Sequence, residues 1–116
     1  MLKFSLFENH LTSEPGDYMA VTTDNVSVGR EEIIDRMIRS GSTVTKAEAL
    51  SVLEEYSRAL EEFLREGANV TTPLYRISQS ISGVFEGRNE GFDNSKHRVN
   101  INIRPGSRLR DVRHQI

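Results

Sequence analysis

The pattern of apolar and charged positions between Thr45 and Gly67 predicts one long amphipathic helix. Its apolar side chains follow three- and four-residue spacing and therefore share one face, while charged side chains mostly occupy the other. The apolar stripe consists of Leu50, Leu53, Tyr56, Leu60, Phe63 and Leu64. Thr45 and Glu48 have the spacing of a capping box, and Gly67 stands where a helix end favours a left-handed residue. Helix capping is too weak to offset the entropy lost on ordering the segment, so the stripe needs a partner.

A shorter helix is predicted just before it, between Glu31 and Ser40. Its apolar positions recur at helical spacing and are Ile33, Ile34, Met37 and Ile38. Glu31 lies in the first turn and Arg39 in the last, as the helix dipole favours, and Gly41 ends the segment. A helix of this length does not persist alone, and only residues 41–44 separate it from the long helix. The sequence therefore predicts a helix–turn–helix pair whose apolar stripes face each other.

A β-hairpin is predicted before the two helices. Residues 2–7 alternate between apolar and polar types, and Tyr18 to Thr23 form a second run of strand-forming residues. The connection between the two runs contains the strong turn signal Pro15-Gly16. We assign this N-terminal hairpin to residues 1–27.

Three further strands and a short helix are predicted after Gly67. Pro73 cannot donate to a strand ladder, so it implies an edge position or a bulge in the first of these strands. Pro105-Gly106 stops the last strand, and Ser107 is the expected cap of the helix that follows. The predicted segments are strands at 69–78, 81–86 and 97–104 and a helix at 107–114.

The predicted order of elements is a β-hairpin, two helices, a three-stranded antiparallel sheet and a short C-terminal helix, which defines an α+β fold. No internal repeat or low-complexity segment interrupts this order. We expect residues 28–116 to form the main part, extended by the hairpin at 1–27. A length of 116 residues favours one compact domain overall.

The distribution of charge is more informative than the net charge of −2. From Lys96 to Ile116 there are six basic side chains and one acidic side chain, Asp111, a net charge of +5, which leaves −7 on residues 1–95. Such asymmetry marks an anion-binding region or, equally well, a basic tail that pairs with the acidic face of the long helix. Charge alone does not choose between these readings.

Composition also bears on the compartment. The absence of cysteine excludes disulfides and thiolate metal sites. The N-terminus reaches Glu8 before the apolar core of a signal peptide forms, and no later run has the length of a membrane span. We therefore expect a cytoplasmic protein without a membrane partner.

The best candidate for a binding surface is the polar side of the strand at 97–104. Arginines that alternate along a strand lie about 7 Å apart, a spacing that can follow the phosphates of a nucleic acid. Asparagine side chains can bond phosphates or base edges. The candidate residues are Arg98, Asn100, Asn102 and Arg104 on the strand, Lys96 before it, Arg108 and Arg110 after it, and Arg88 in the preceding loop. The alternative is an ordinary solvated sheet face.

The sequence contains no constellation for catalysis or metal binding. The histidines His10, His97 and His114 have neither ligand spacing nor cysteine neighbours. The paired glutamates of the long helix lie on its charged face, where they act as solubilising charges. We expect no enzymatic activity, no cofactor and no small-molecule substrate.

Three motifs resemble the bacterial HU and integration-host-factor family of DNA-architectural proteins. They are TKAEA at 45–49, LEEFLREGANV at 60–70 and IRPGSRLRD at 103–111, the last being the most specific in order and spacing. The N-terminal hairpin together with TPLYRISQSISGVFEG further resembles the HU-like domain of Bacteroidetes proteins. The resemblance implies an intertwined homodimer whose helices form a base beneath a β-saddle that holds duplex DNA.

The chain departs from that family in the arm between its last two strands. The family carries a long basic arm tipped by Arg-Asn-Pro, whose proline wedges between base steps. Here the connection at 87–97 is much shorter, and Glu90 stands where the proline would be. The resemblance, with this shortened arm, implies a nucleoid protein that binds duplex DNA weakly and largely independently of sequence. The alternative is an HU-derived interaction or assembly module that no longer binds DNA.

Overall fold

The computed structural model describes residues 1–11 and 16–116. The chain divides into two compact units, 1–50 together with Ile116, and 51–115. The boundary between the units falls within the long helix, whereas the division proposed from sequence, at 27/28, stays a prediction. Pro15 of the expected Pro15-Gly16 turn lies outside the described residues.

The first unit begins with the hairpin that the sequence predicts. Strand β1 (Lys3–Glu8) pairs antiparallel with β2 (Tyr18–Thr23) in a register that runs from Lys3↔Thr23 to Glu8↔Tyr18. Alternation of apolar side chains along both runs is the local signal that allowed this prediction. The hairpin is confirmed, with β1 shifted by one residue from its expected limits.

Helix α1 (Arg30–Arg39) follows the hairpin and is confirmed as well. The Gly29 N–H donates to the Glu32 carboxylate at 2.8 Å, a cap that sequence reasoning missed because glycine offers no capping side chain. The helix ends at Arg39, and the predicted stop signal Gly41 follows the C-cap Ser40 with a φ of 107°, in the left-handed region. Ile34 of this helix is fully buried.

Helix α2 (Lys46–Arg65) is the long amphipathic helix, and both of its predicted ends are confirmed. The Glu48 N–H donates to the Thr45 hydroxyl at 3.1 Å, and that hydroxyl donates to the Glu48 carboxylate at 3.0 Å. At the other end Gly67 has a φ of 84°, and the Ala68 N–H donates to the Phe63 carbonyl at 3.0 Å. These bonds satisfy backbone groups that a helix end leaves open.

The second unit contains the predicted three-stranded antiparallel sheet, in the order β3-β4-β5. The strands are β3 (Val70–Thr71), β4 (Tyr75–Ser82) and β5 (Arg98–Pro105). The Gln79 side chain donates to the Leu64 carbonyl at 2.6 Å, and the hydroxyls of Tyr56 and Tyr75 are hydrogen-bonded. These contacts hold one face of the sheet against α2, and Ile77 is buried on that face.

The strand limits expected at 69–78 and 81–86 are wrong. The break falls at 72–74, where the Thr72 hydroxyl accepts the Tyr75 N–H at 3.0 Å and forms the turn between β3 and β4. Strand β4 is then continuous to Ser82, and it ends because Gly83 adopts a φ of 117°. The predicted second strand therefore does not extend to residue 86.

The C-terminal helix is confirmed, but its predicted cap is wrong. Helix α3 spans Ser107–Val112 and is followed by a single 3₁₀ turn, Arg113–Gln115. The capping position is Gly106, so Ser107 is already the first helical residue. Gly106 is held there because its N–H donates to the Leu74 carbonyl at 2.8 Å.

Candidate nucleic-acid interface

The pairing of β4 with β5 collects polar side chains on the sheet face opposite α2. Successive side chains of a strand point to opposite faces, and directly paired residues share a face. The register pairs Arg76 with Arg104 at one end and Ser82 with Arg98 at the other. We call this surface the polar sheet face, and it consists of Thr71, Arg76, Ser78, Ser80, Ser82, Arg98, Asn100, Asn102 and Arg104. It carries three guanidinium groups and no carboxylate.

The polar sheet face is cationic at its ends and neutral in its middle. Arg98 and Arg104 are six residues apart on β5, a separation of about 20 Å. Between them the Asn100 and Asn102 amides donate to the Ser80 hydroxyl at 3.5 and 3.2 Å. The surface therefore offers charge for phosphates at both ends and hydroxyl and amide groups in between. This arrangement suits a polyanion with a regular spacing of charges.

Sequence reasoning missed the half of this face that β4 supplies. Arg76 and the serines Ser78, Ser80 and Ser82 alternate along β4 as regularly as the polar residues of β5 do. That alternation was the available signal, and dividing the segment into two strands concealed it. The four predicted residues of β5, Arg98, Asn100, Asn102 and Arg104, are brought together as expected.

The connection between β4 and β5 is folded around a buried histidine. The His97 side chain is 4% exposed and stacks on Phe85, with ring centroids 3.7 Å apart. The Asp93 N–H donates to His97 Nδ1 at 2.9 Å, so the ring proton lies on Nε2, which donates to the Val84 carbonyl at 3.0 Å. These contacts close the connection on itself.

Two predicted binding residues, Arg88 and Lys96, lie in this closed connection. Lys96 Nζ is 3.0 Å from Glu90 Oε1, so the ammonium group already has an anionic partner. The other Glu90 oxygen accepts the Glu86 N–H. That backbone bond and, after it, the Lys96 contact hold the pKa of Glu90 below its usual value. The structure therefore gives Glu90 a role in closing the arm, and leaves Arg88 exposed beside it.

The remaining two candidates lie on α3. The Arg108 N–H donates to the Pro73 carbonyl at 2.9 Å, which ties the start of α3 to the turn between β3 and β4. Arg108 and Arg110 are both exposed, but they are two residues apart on a helix and leave it in different directions. The two side chains therefore do not lie on the same side of α3.

Acid is expected to loosen the closed connection. The pKa of Glu90 is lowered by its bonds to Glu86 and Lys96, and the pKa of Asp93 is lowered by the Ser95 N–H and hydroxyl. Carboxyls with a lowered pKa stabilise the fold at neutral pH, and that contribution disappears as the pH falls through their folded-state values. In ¹⁵N spectra recorded from pH 7 to pH 3, the Glu86 and Ser95 amide signals should move toward their unfolded positions before the rest of the sheet changes.

Glu90→Gln supplies the control for that titration. The variant should show the displaced Glu86 amide signal already at neutral pH, because a neutral amide is a weaker acceptor and does not pair with Lys96. Glu8→Gln, on the exposed hairpin, should leave both signals unchanged. Amide positions that stay constant down to pH 3 in the unmodified protein would contradict the closing role of Glu90.

The opposite face of the sheet exposes apolar side chains. Ile103 is 69% exposed, and Phe63 of α2 is 56% exposed. The other exposed apolar side chains of this face are Ile81, Val99 and Ile101. Within the described part of the chain, no helix has the length and apolar character needed to cross a membrane.

Comparison with known proteins agrees with this architecture. The structure is similar to a crystal structure from Bacteroides vulgatus, of a protein named as a candidate bacterial DNA-binding protein, with a TM-score of 0.79 and 23% identity. The similarity covers 98% of this chain and 45% of that one, so the chain spans less than half of that protein. No curated protein matches the chain.

A family model settles the relationship that the sequence motifs indicated. The model of the HU-type DNA-binding domain matches residues 1–116, and thus includes the N-terminal hairpin. The α+β arrangement of two antiparallel sheets and three α-helices, counted over residues 1–11 and 16–116, agrees with it. This supports DNA binding as the general function. The chain belongs to the HU DNA-binding domain family.

Proposed function

We propose that the chain is a non-enzymatic, homodimeric DNA-binding protein of the cytoplasmic nucleoid. It binds duplex DNA weakly and largely independently of sequence, without a cofactor, a small-molecule substrate or a membrane partner. The observation that carries this proposal is the polar sheet face, on which three arginines lie among hydroxyl and amide groups with no carboxylate. The name of the Bacteroides vulgatus protein, which refers to DNA binding, supports it.

The composition of the face supports weak, sequence-independent binding. Contacts to phosphates position a protein on DNA but carry no sequence information. Each neutralised phosphate contributes about −0.9 to the slope of log K against log salt concentration, and non-specific complexes have Kd values of roughly 10⁻⁴ to 10⁻⁶ M at physiological salt. Three arginines on the sheet and one on α3 therefore suit a complex that weakens steeply as salt is added.

Pairing of two protomers would use the apolar surface that one protomer leaves open. Ile81, Val99, Ile101 and Ile103 are all at least half exposed on the apolar sheet face. Exposed apolar patches of this kind mark association surfaces. A second protomer that covers this surface and the exposed stripe of α2 would also double the number of arginines available to the DNA.

The closed connection between β4 and β5 argues for DNA that is bound without a sharp kink. A kink of the family type needs an apolar wedge between base steps. Here Glu90 occupies the tip, and its carboxylate is bound to Lys96 and to the Glu86 N–H. We therefore propose that the duplex rests on the polar sheet face and remains nearly straight.

A mobility-shift titration of duplex DNA over a salt series tests this function. The unmodified protein should shift the duplex at low salt and lose affinity steeply as salt rises. Arg98→Ser combined with Arg104→Ser should weaken binding by at least about tenfold and flatten the salt dependence, because each phosphate contact contributes separately to the slope. Arg36→Ser combined with Arg39→Ser, which removes the same charge from α1, should have little effect. No shift at low salt with the dimer intact would reject the function.

The alternative function is an HU-derived interaction or assembly module that no longer binds DNA. The observation that favours it is the loss of the basic arm, since Lys96 is engaged by Glu90. In that case the protein would form its dimer or a larger assembly, and the DNA titration would stay flat at every salt concentration. Duplex binding that disappears in the Arg98/Arg104 variant would reject the module.

A further inference from the structure

Two arginines of the polar sheet face lie directly opposite each other. Arg76 on β4 is the register partner of Arg104 on β5, so their β-carbons lie about 5 Å apart. Like charges in directly opposed positions destabilise a sheet. Throughout the described residues neither guanidinium group has a carboxylate partner that would offset the repulsion. The pair is therefore a local concentration of uncompensated positive charge.

A cavity of about 320 Å³ lies beside this pair. Its polar lining is rich in hydrogen-bond donors and includes no acidic residue. The lining residues that can donate from a side chain are Asn69, Thr71, Arg76, Ser78 and Arg104. Guanidinium groups bind oxyanions through charge-assisted hydrogen bonds, and hydroxyl and amide groups can satisfy further oxygen lone pairs. The site has the chemistry of an oxyanion pocket.

We propose that this cavity binds a phosphate group and that Arg76 and Arg104 together form the principal phosphate anchor of the polar sheet face. The identification of the phosphate as a backbone phosphodiester rests on the proposed function. An anion between the two guanidinium groups accepts bonds from both and removes their mutual repulsion. Binding at this end of the face therefore gains more than binding to a single arginine does.

The other end of the face provides the comparison within the same molecule. Arg98 is the register partner of Ser82, and no second cation opposes it. A phosphate there meets one guanidinium group and relieves no repulsion. Arg76→Ser and Arg98→Ser each remove one positive charge from the same surface, so they form a matched pair. The anchor predicts that Arg76→Ser weakens duplex binding by at least about tenfold and Arg98→Ser by about threefold.

The two arginines of the anchor should also be coupled. If both arginines bind one phosphate, either single substitution already disrupts binding of that phosphate. The double variant Arg76→Ser/Arg104→Ser should therefore lose less affinity than the product of the two single losses. Arg76→Ser/Arg98→Ser should be multiplicative, since those residues are about 20 Å apart. Multiplicative losses for Arg76 and Arg104 would overturn a shared site.

Inorganic phosphate provides a test that does not depend on DNA. Adding sodium phosphate, against sodium chloride at equal ionic strength, should shift the amide signals of Thr71, Ser78 and Arg104 in the unmodified protein but not in Arg76→Ser. Duplexes with 5′-hydroxyl or 5′-phosphate ends separate the possible sources of the group. Equal binding of the two supports a backbone phosphodiester, whereas clear preference for the 5′-phosphate end would overturn that identification.

The outcomes separate this inference from the proposed function. Duplex binding that responds equally to Arg76→Ser and Arg98→Ser, with no amide shifts in phosphate, overturns the anchor and leaves the DNA-binding function standing. Phosphate-dependent amide shifts without any duplex binding support the pocket and reject the function. The absence of both responses rejects both.

Discussion

Gly106→Ala is expected to lower the free energy of unfolding by about 3 kcal/mol, the upper part of the range for overpacking a closely packed site. A β-carbon at this position would lie 2.4 Å from the Pro73 carbonyl oxygen and 2.7 Å from the Thr72 carbonyl oxygen. Both are backbone atoms of a turn that hydrogen bonds hold in place. Relieving the steric clash would therefore require breaking some of these hydrogen bonds. Thermal unfolding followed by circular dichroism should show a midpoint roughly 10 °C lower.

Gly87→Ala is the matched control for that substitution. Gly87 has no neighbouring atom within 4 Å of the position a β-carbon would take, and its φ is not in the left-handed region. The midpoint should therefore change little. A Gly106→Ala protein as stable as the Gly87→Ala protein would mean that the turn at 72–74 does not fix the start of α3. The comparison thus tests whether the glycine of the RPGSRLRD motif is needed because the backbone of the turn at 72–74 lies so close to it.

Phe63→Lys is expected to convert the proposed dimer into a monomer. Phe63 lies on the apolar stripe of α2 and is 56% exposed in one protomer, a surface that the dimer would cover. Burial of an unpaired ammonium group there should raise the dimer dissociation constant by at least about 100-fold. The helix itself should persist, because lysine is a good helix former. Analytical ultracentrifugation over a concentration series measures the change.

The control introduces the same charge away from the proposed interface. Val26 is 87% exposed and precedes α1, so Val26→Lys should leave the association unchanged. A Phe63→Lys protein that sediments as a dimer would contradict an interface built on α2. Monomeric behaviour of the unmodified protein would remove the proposed dimer altogether, whichever substitution is compared with it.

The helices were predictable because their signals are local. The Thr45 cap, the positive φ of Gly41 and of Gly67, and the apolar spacing between them all act within a few residues. The limits of β4 were not predictable in this way. They depend on the turn that the Thr72 hydroxyl makes and on pairing with β5, whose partner positions lie sixteen to thirty residues further along the chain. Local composition does not contain that register.

The same distinction applies to the candidate interface. The arginines and asparagines of β5 alternate within one segment, so their common face could be predicted from spacing alone. The opposition of Arg76 and Arg104 follows from cross-strand register, which is a property of the fold. The family resemblance places His97 in the shortened arm, whereas its burial depends on stacking against Phe85, twelve positions earlier. Contacts of this range are not encoded in adjacent residues.

The closed connection meets the sheet at a single rung, because Ser82 and Arg98 are register partners. A segment that leaves and re-enters the sheet at one pair of register partners can lengthen or shorten without shifting the other paired residues. The loop-closure entropy also rises only slowly with the length of such a segment. A single insertion or deletion at this place can therefore change the length of the connection and leave the sheet intact. Inserting a longer basic segment between Gly87 and Gly91 would test whether a domain proposed to bind straight DNA can be converted into one that bends DNA.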